Sequence, residues 1–124
     1  MLILPQIVFK IDENKDVFEK VAELMEKENT AEMVFVKAEG KIRAPEIVSH
    51  GKQGSVFSQK LKGDYEVNAI SGSLKRKKGQ TISQVNIAIT HTGTNAKIGH
   101  LVKAKAGKDF VLTLRKIDLS KMIM

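Results

Sequence analysis

The sequence predicts an α+β fold in which one main helix packs on a largely antiparallel, twisted sheet of about seven strands. Three observations support this prediction. An apolar stripe at helical spacing occurs once, near the N-terminus. From residue 31 onward, apolar residues mostly alternate with polar ones, which is typical of half-buried strands. No strand–helix–strand rhythm follows, so a parallel sheet is not favoured. With 124 residues we expect a single domain over residues 1–124.

The first third of the chain predicts a strand followed by the helix. Residues 3–11 are rich in β-branched and aromatic side chains, as strands are. Asp12 or Asn14 can cap the helix that we expect over residues 14–29. Asn29 suits the left-handed residue that often ends a helix. The apolar stripe consists of Val17, Val21, Leu24 and Met25.

The rest of the chain predicts strands joined by turns. Gly40 and Pro45 interrupt the pattern after the second strand, and His50 falls in a predicted loop. The apolar tail, residues 120–124, could fray or dock on a partner subunit. The segments that read as strands are residues 33–38, 46–49, 55–60, 66–74, 82–90, 97–102 and 110–117.

Composition limits the possible functions. Cysteine is absent, so disulfides, thiolate nucleophiles and cysteine metal sites are excluded. The short apolar run at the start lacks a basic leader and is too short for a signal peptide or a transmembrane helix, so we expect a cytoplasmic protein that does not act at a membrane. Hydrolase-elbow, Walker and Rossmann motifs are missing, so we expect neither an enzyme nor a cofactor. Asp64 and Glu66 share one strand face, where repulsion could raise one pKa or both could be hydrated.

The net charge of +7 is unevenly distributed. Residues 1–39 hold nine acidic and five basic residues, whereas residues 40–124 hold sixteen basic and five acidic ones. Such a polarity can steer a polyanion toward one face of a protein. A lysine excess is also common in small proteins because it prevents association, so composition alone leaves both interpretations open.

The strongest local charge feature is the run Lys75-Arg76-Lys77-Lys78 before Gly79, at a predicted turn between two strands. An arginine can hold a phosphate through two parallel hydrogen bonds, and lysines add point charges. These four are our predicted nucleic-acid-binding residues. A charged hairpin tip can equally be a solvated turn that discourages aggregation. Further basic residues that could extend the patch are Lys60, Lys62, Lys103, Lys105, Lys108, Arg115 and Lys116.

Several short motifs resemble the plant-and-prokaryote-conserved (PPC) domain. The family's Gly-x-Phe/Tyr-Glu motif corresponds to residues 63–66, and its Ser-Gly turn to Ser71-Gly72. Its Gly-Gly-His-Leu motif corresponds to residues 98–101, which read Ile-Gly-His-Leu. The helix and its neighbouring strands match in order, so the resemblance covers nearly the whole chain. It implies a PPC-like fold, a homotrimer built around a threefold axis, and a DNA-binding or regulatory function related to that of AT-hook proteins.

A histidine set found in many members of that family is incomplete in this sequence. Bacterial members usually carry a His-x-His motif where residues 84–86 read Gln-Val-Asn, so only His100 remains of three imidazoles that could hold a metal ion. Amides are poor ligands for transition metals, so we expect no tightly bound zinc. The predicted pocket residues are instead Gln84, Asn86, Gly99 and His100, which could hydrogen-bond a small molecule or water. Alternatively, His100 is simply a hydrogen-bonded residue at a strand start.

Three functional hypotheses follow. The first is DNA binding with weak sequence preference, since neither an AT-hook nor another base-reading motif occurs. The second is a small-molecule-binding trimer with an inter-subunit pocket around His100. The third is a protein-interaction module that uses the flat sheet or the apolar tail.

Overall fold

The structure is a computed structural model that describes residues 6–91 and 95–117. Its helix α1 spans Val17–Lys27, and a short 3-10 turn covers Lys52–Gly54. The strands are β1 (Gln6–Lys10), β2 (Glu32–Glu39), β3 (Lys41–His50), β4 (Val56–Lys60), β5 (Asp64–Lys77), β6 (Gln80–Thr90), β7 (Lys97–Ala106) and β8 (Val111–Ile117). The predicted fold class is confirmed, with eight strands in the described part of the chain. The apolar tail, residues 120–124, lies outside the described residues.

All the strands belong to one antiparallel sheet with the order β1-β8-β2-β5-β6-β7-β3-β4. β3 also pairs with β5, so β5, β6, β7 and β3 form a closed circuit of hydrogen-bonded strands. Successive side chains of a strand point to opposite faces, which gives this circuit an inner and an outer face. The inner face holds much of the core, including Ile42, Ile47, Leu74, Val85, Ile87, Ile89 and Leu101.

The helix α1 packs its apolar stripe into the same core. Its N-cap is Asp16 rather than Asp12 or Asn14, because the Asp16 side chain accepts a hydrogen bond of 2.9 Å from the backbone N–H of Glu19. The buried helix residues are Val17, Val21 and Met25. Asn29 has a φ of 53°, which confirms the predicted left-handed residue after the helix. No helix in the described part of the chain is long and apolar enough to span a membrane.

β3 is longer than the sequence predicts. The pattern indicates a short strand at residues 46–49, after an interruption at Pro45. In the structure a bulge between Arg43 and Glu46 accommodates the proline within one continuous strand. Proline fits such a position because a bulged residue does not have to donate a ladder hydrogen bond. As a result, His50 ends a strand and does not lie in a loop.

β5 is also longer than the predicted strand of residues 66–74, and Ser71-Gly72, which corresponds to a turn of the family, lies inside it. An added Cβ on Gly72 would overlap the backbone carbonyl oxygen of Gln84, and the φ of Gly72 is 107°, so glycine is required where β5 and β6 approach. The strand continues to Lys77. The chain then reverses at Lys78-Gly79, whose positive φ values of 51° and 78° are those of a type I′ hairpin turn.

Candidate functional site

The predicted nucleic-acid-binding residues lie together on the β5–β6 hairpin. Lys75 and Lys77 are on one face of β5, Arg76 is on the other, and Lys78 is in the turn. All four side chains are exposed. None of them forms an ion pair with an acidic residue among the described residues. These four residues, called the basic hairpin below, therefore present their charge to solvent.

Two shallow grooves flank the basic hairpin. One, of about 410 Å³, lies between the end of α1 and the side chains of Arg76 and Lys78. The other, of about 360 Å³, lies between residues 29–32 and residues 75–77. Glu26 lines the first groove and Glu32 the second, so each groove also contains a carboxylate. Each groove therefore places a carboxylate near the cations that line it, whereas residues 75–80 themselves include no acidic side chain.

Part of the extended basic patch lies near the hairpin. Arg115 and Lys116 in β8 pair with Val34 and Met33 of β2. The preceding residue of β2, Glu32, pairs with Lys75 of the basic hairpin. Because β2 is the one strand between β8 and β5, these two cations lie on the hairpin side of the sheet. As successive residues of a strand they lie on opposite faces of β8, with Arg115 exposed and Lys116 half-buried.

Other residues of that predicted patch lie elsewhere. Lys60 and Lys103 both pair with Glu46, on the side of the sheet formed by β3, β4 and β7. Lys105 pairs with Arg43, which itself pairs with Asp64 at the first residue of β5. The sequence therefore groups lysines that the fold distributes over separate parts of the sheet.

Arg43 forms a polar cluster at the Asp64 end of β5. Its Nε donates to Oδ1 of Asp64 at 2.6 Å, and its Nη2 donates to Oδ2 at 3.0 Å. Its Nη1 donates to Glu13 at 3.1 Å and to Asn14 at 2.8 Å. The guanidinium holds the pKa of the Asp64 carboxyl below its ordinary value, although partial desolvation opposes this effect. Repulsion by Glu66 therefore does not raise the pKa of Asp64, and sequence reasoning missed Arg43 as its partner.

Three of the predicted pocket residues, Gln84, Asn86 and His100, lie on the outer face of β6 and β7, whereas Gly99 pairs with the buried Ile87 and lies on the inner face. Asn86 and His100 are direct cross-strand partners, and Gln84 is two residues from Asn86 on the same face. All three are exposed, while Gly99 is half-buried. A groove of about 180 Å³ reaches Asn86 and is lined mainly by residues of β5 and β6, but not by Gln84, Gly99 or His100. One chain thus brings Asn86 and His100 together without enclosing them in a pocket.

The structure adds His50, which sequence reasoning missed, to this part of the outer face. Val48 pairs with His100, and His50 is two residues further along β3 on the same face. The ring centroids of His50 and His100 are 5.4 Å apart, with an angle of 82° between the ring planes. Alternation around residue 48 indicates the face of His50, but the pairing of β3 with β7 leaves no local signal in the sequence.

Apolar side chains also lie uncovered on the outer face. Ile98 and Val102 of β7 are 69% and 50% exposed, and Val56 of β4 is 58% exposed. Such apolar groups beside polar ones are typical of surfaces that bind another molecule.

The fold and the motifs define one protein family. The family model of the Plants and Prokaryotes Conserved (PCC) domain, the PPC domain named above, matches residues 3–118. The chain therefore belongs to this family. No curated protein matches the sequence.

Solved structures share the fold at low sequence identity. A PPC protein from Pyrococcus horikoshii has a TM-score of 0.79 and 18% identity, over 95% of this chain and 82% of that chain. A metal-containing protein from Archaeoglobus fulgidus has a TM-score of 0.71 and 18% identity, over 94% of this chain and 86% of that chain. A presumed DNA-binding protein from Ralstonia eutropha has a TM-score of 0.71 and 12% identity, over 89% of this chain and 76% of that chain. At these identities, the likeness shows the fold alone.

The residues that replace the histidine set do not fit a three-ligand metal centre. Gln84 and Asn86 supply amides where imidazoles would be needed, and only His100 of that set can ligate a transition metal well. Across residues 6–91 and 95–117, no group of three His, Cys, Asp or Glu side chains could hold a metal ion. No step in the proposed function is therefore assigned to a metal.

Proposed function

We propose that this protein is a cytoplasmic, homotrimeric DNA-binding protein, and that its basic hairpin contacts the phosphate backbone. The observation that carries the proposal is the arrangement of Lys75, Arg76, Lys77 and Lys78. They are four exposed cations on one hairpin, and none has an acidic ion-pair partner among the described residues. The family neighbour presumed to bind DNA is consistent with this proposal.

The hairpin suits phosphates better than bases. Cations project from both faces of β5 and from the turn, so the tip can approach more than one phosphate at once. Each phosphate that is neutralised releases condensed counterions, which makes binding strongly dependent on salt. Three of the four cations are lysines, which act as point charges on phosphates rather than as planar groups that pair with base edges. The binding should therefore show weak sequence preference.

A homotrimer would strengthen such binding. When three hairpins are held on one particle, binding of the second and third becomes intramolecular and the overall affinity rises. The uncovered apolar residues of the outer face, such as Ile98 and Val102, support association between copies, since burying them would release apolar surface from water. Sedimentation velocity measures the assembly directly, and a monomer at micromolar concentration would contradict this part of the proposal.

The DNA proposal is tested by fluorescence anisotropy with a short duplex of arbitrary sequence, over a salt range of about 50 to 200 mM. The test variant replaces Lys75, Arg76, Lys77 and Lys78 by alanine. We expect its affinity to fall and its log–log salt slope to flatten by about 0.9 for each phosphate that the variant no longer neutralises.

A matched control removes the same amount of charge from the Asp64 end of the molecule. It replaces four exposed lysines that form no ion pair among the described residues: Lys10, Lys15, Lys105 and Lys108. The control should keep the wild-type slope. Equal decreases of DNA affinity and salt slope in both variants would mean that net charge alone drives binding. Absence of binding by the wild type at low salt would exclude the DNA function.

The small-molecule alternative is supported by the direct pairing of Asn86 with His100 beside uncovered apolar side chains. A second copy lying on this face could enclose the polar pair between subunits, as the second hypothesis requires. Replacing Asn86 by leucine should then abolish ligand binding in a thermal-shift screen and leave DNA binding unchanged. Weaker DNA binding with unchanged ligand binding would assign Asn86 to the DNA interface instead.

A further inference from the structure

We propose that Ile82 is an apolar wedge, which the β5–β6 hairpin inserts between two base pairs from the minor groove, so that binding kinks the DNA duplex. This inference rests on the proposed DNA function and adds a mechanical consequence to it. Ile82 belongs to β6 and lies directly opposite Lys75 of the basic hairpin. Its side chain is large and apolar, yet it is 43% exposed.

Ile82 lies among cations on one face of the hairpin. Directly opposed residues of paired strands point to the same face, with Cβ atoms about 4.5–5.5 Å apart, so Ile82 is the immediate neighbour of Lys75. Lys77 pairs with Gln80 and is the diagonal neighbour of Ile82, at about 7–8 Å. All four side chains are exposed. The charges that attract a duplex to this hairpin would therefore bring the apolar side chain against the DNA.

The end of the hairpin extends past the strands next to it. β7 pairs with β6 only from Asn86 to Ile89, and β2 pairs with β5 only as far as Lys75. Within the described part of the chain, residues 80–85 of β6 therefore pair with β5 alone. A two-stranded ribbon that leaves the sheet in this way has the shape needed to enter a groove of DNA, as the β-ribbons of other DNA-binding proteins do.

A homotrimer formed through the outer face of β7 does not have to cover this end of the hairpin. Ile98, one of the apolar residues that support association, pairs with Ala88 of β6. Ala88 is six residues from Ile82, which corresponds to about 20 Å along a strand. A second copy that lies on Ile98 can therefore leave Ile82 open to DNA.

The minor groove is where such a side chain acts on DNA. Proteins that bend DNA from this groove insert isoleucine, leucine or similar residues between neighbouring base pairs, which unstacks them and kinks the duplex toward the major groove. The minor groove distinguishes the bases poorly, so a wedge agrees with the weak sequence preference expected above. Pyrimidine–purine steps such as TA unstack most easily and should be the preferred sites.

The experiment measures resonance energy transfer between dyes at the two ends of a duplex of about 20–30 base pairs with a central TA step. Wild-type protein should bring the ends closer through a kink of about 20–90°. Ile82→Thr keeps a β-branched side chain that suits a strand, but it lacks the apolar wedge. This variant should bind with the wild-type salt slope, because no phosphate contact is lost, and should leave the duplex unkinked.

Two variants control for changes unrelated to the wedge. Ile82→Leu restores an apolar side chain and should restore the kink. Val8→Thr makes a similar apolar-to-hydroxyl change at an exposed residue of β1, at the other edge of the sheet, and should kink DNA like the wild type. Sedimentation velocity of Ile82→Thr should match the wild type. An altered assembly would place Ile82 at an interface between copies and overturn the proposal.

A mismatched duplex gives a test that needs no variant. A central mismatch is easier to unstack, so wild-type protein should bind it roughly tenfold more tightly than the matched duplex. Wild-type binding with a steep salt slope, but without a kink or a preference for the mismatch, would overturn the wedge and leave the proposed DNA function intact. Absence of binding at low salt would exclude both.

Discussion

The two ends of β5 hold cations in opposite electrostatic situations. At the Asp64 end, Arg43 donates two hydrogen bonds to Asp64 and others to Glu13 and Asn14, and its side chain is only 28% exposed. At the other end, the basic hairpin is exposed and has no acidic ion-pair partner among the described residues. Each of these cations nevertheless counts equally toward the net charge of +7.

This difference separates charges that stabilise the fold from charges that can bind a partner. A phosphate that approached Arg43 would compete with carboxylates already bound through charge-assisted hydrogen bonds. A phosphate that approached the basic hairpin would displace only water and counterions. Net charge therefore overstates the surface that is available to a polyanion, and the ion pairs formed within the fold show where that surface is.

The largest expected effect comes from a change between the two ends. Gly72→Ala would place a Cβ against the carbonyl oxygen of Gln84, at a φ of 107° that side-chain-bearing residues rarely adopt. Backbone strain alone costs about 1–3 kcal/mol, and the overlap adds to it. We expect a large fall in the free energy of unfolding, measured by urea denaturation, together with weaker DNA binding as the hairpin is displaced.

Gly63→Ala is the matched control for that experiment. Gly63 also has a positive φ, 89°, but no atom lies within 4 Å of an added Cβ. The Gly63→Ala variant therefore reports the cost of backbone strain without steric overlap. It should destabilise the protein clearly less than Gly72→Ala. Equal effects would show that β6 moves aside at low cost and that the β5–β6 register does not depend on glycine.

A second prediction compares the loss of one cation from each end of β5. Arg43→Ala leaves the half-buried Asp64 without its guanidinium partner, so the Tm should fall by several degrees, as measured by differential scanning fluorimetry. The DNA affinity of this variant should stay within about twofold of the wild type, because a distant charge is largely screened at physiological salt. Lys75→Ala should instead lower the DNA affinity and leave the Tm nearly unchanged. If Arg43→Ala weakened DNA binding as much as Lys75→Ala, the proposed division between the two ends would be wrong.

A third prediction concerns pH. The pKa of Asp64 is lowered in the folded protein, so its ion pair contributes stability above the unfolded-state pKa of about 3.9 and loses it as the pH falls through the folded value. Asp64→Asn removes that contribution at every pH. The Tm difference between wild type and Asp64→Asn should be largest near neutral pH. It should shrink toward zero as the pH falls below about 4.

The control for the pH series is Glu66→Gln, which neutralises an exposed carboxylate on the same strand face. Glu66 forms no ion pair among the described residues, so this variant reports the general effect of removing one negative charge. A Tm difference for Asp64→Asn that stayed constant from neutral to acidic pH would mean that shape, rather than charge, accounts for the role of Asp64.

Much of this fold could be predicted because it depends on local periodicity. The stripe that contains Val17, Val21 and Met25 predicts the helix, and alternation predicts most of the strands. The lengths of β3 and β5 could not be predicted in the same way. Pro45 normally indicates an interruption, but a bulge accommodates it within β3, and β5 continues beyond Leu74 through a charged segment that lacks apolar alternation.

The candidate site likewise has a part that depends on adjacent residues and a part that depends on strand pairing. A run of four basic residues followed by Gly79 predicts a cationic turn from adjacent residues alone, and the structure has that turn. The pairs Arg43–Asp64 and His50–His100 depend on which strands lie side by side. Single-sequence patterns specify the face of each residue but not the neighbouring strand, so these partners could not be identified. DNA binding and the pocket around His100 stay predictions.

The smallest expected effect separates the geometry of the turn from its charge. Lys78 has a φ of 51° at the first central position of a turn that favours Asn-Gly. Lys78→Asn should therefore raise the free energy of unfolding by about 0.5–1 kcal/mol, since asparagine tolerates left-handed backbone better than lysine. The same change removes one cation, so the salt slope of DNA binding should decrease by about 0.9 if Lys78 binds a phosphate.

Lys78→Gln removes the same charge without favouring the turn, and it completes the comparison. Both variants should show the same decrease in salt slope, while only Lys78→Asn gains stability. A decrease confined to Lys78→Gln would mean that the rigidity of the turn compensates for the missing charge. An unchanged slope in both would exclude Lys78 from phosphate binding and leave Lys75, Arg76 and Lys77 as the binding cations. Because stability and salt slope are measured independently, these two variants test whether the hairpin end of β5 acts through its charge rather than through its contribution to the fold.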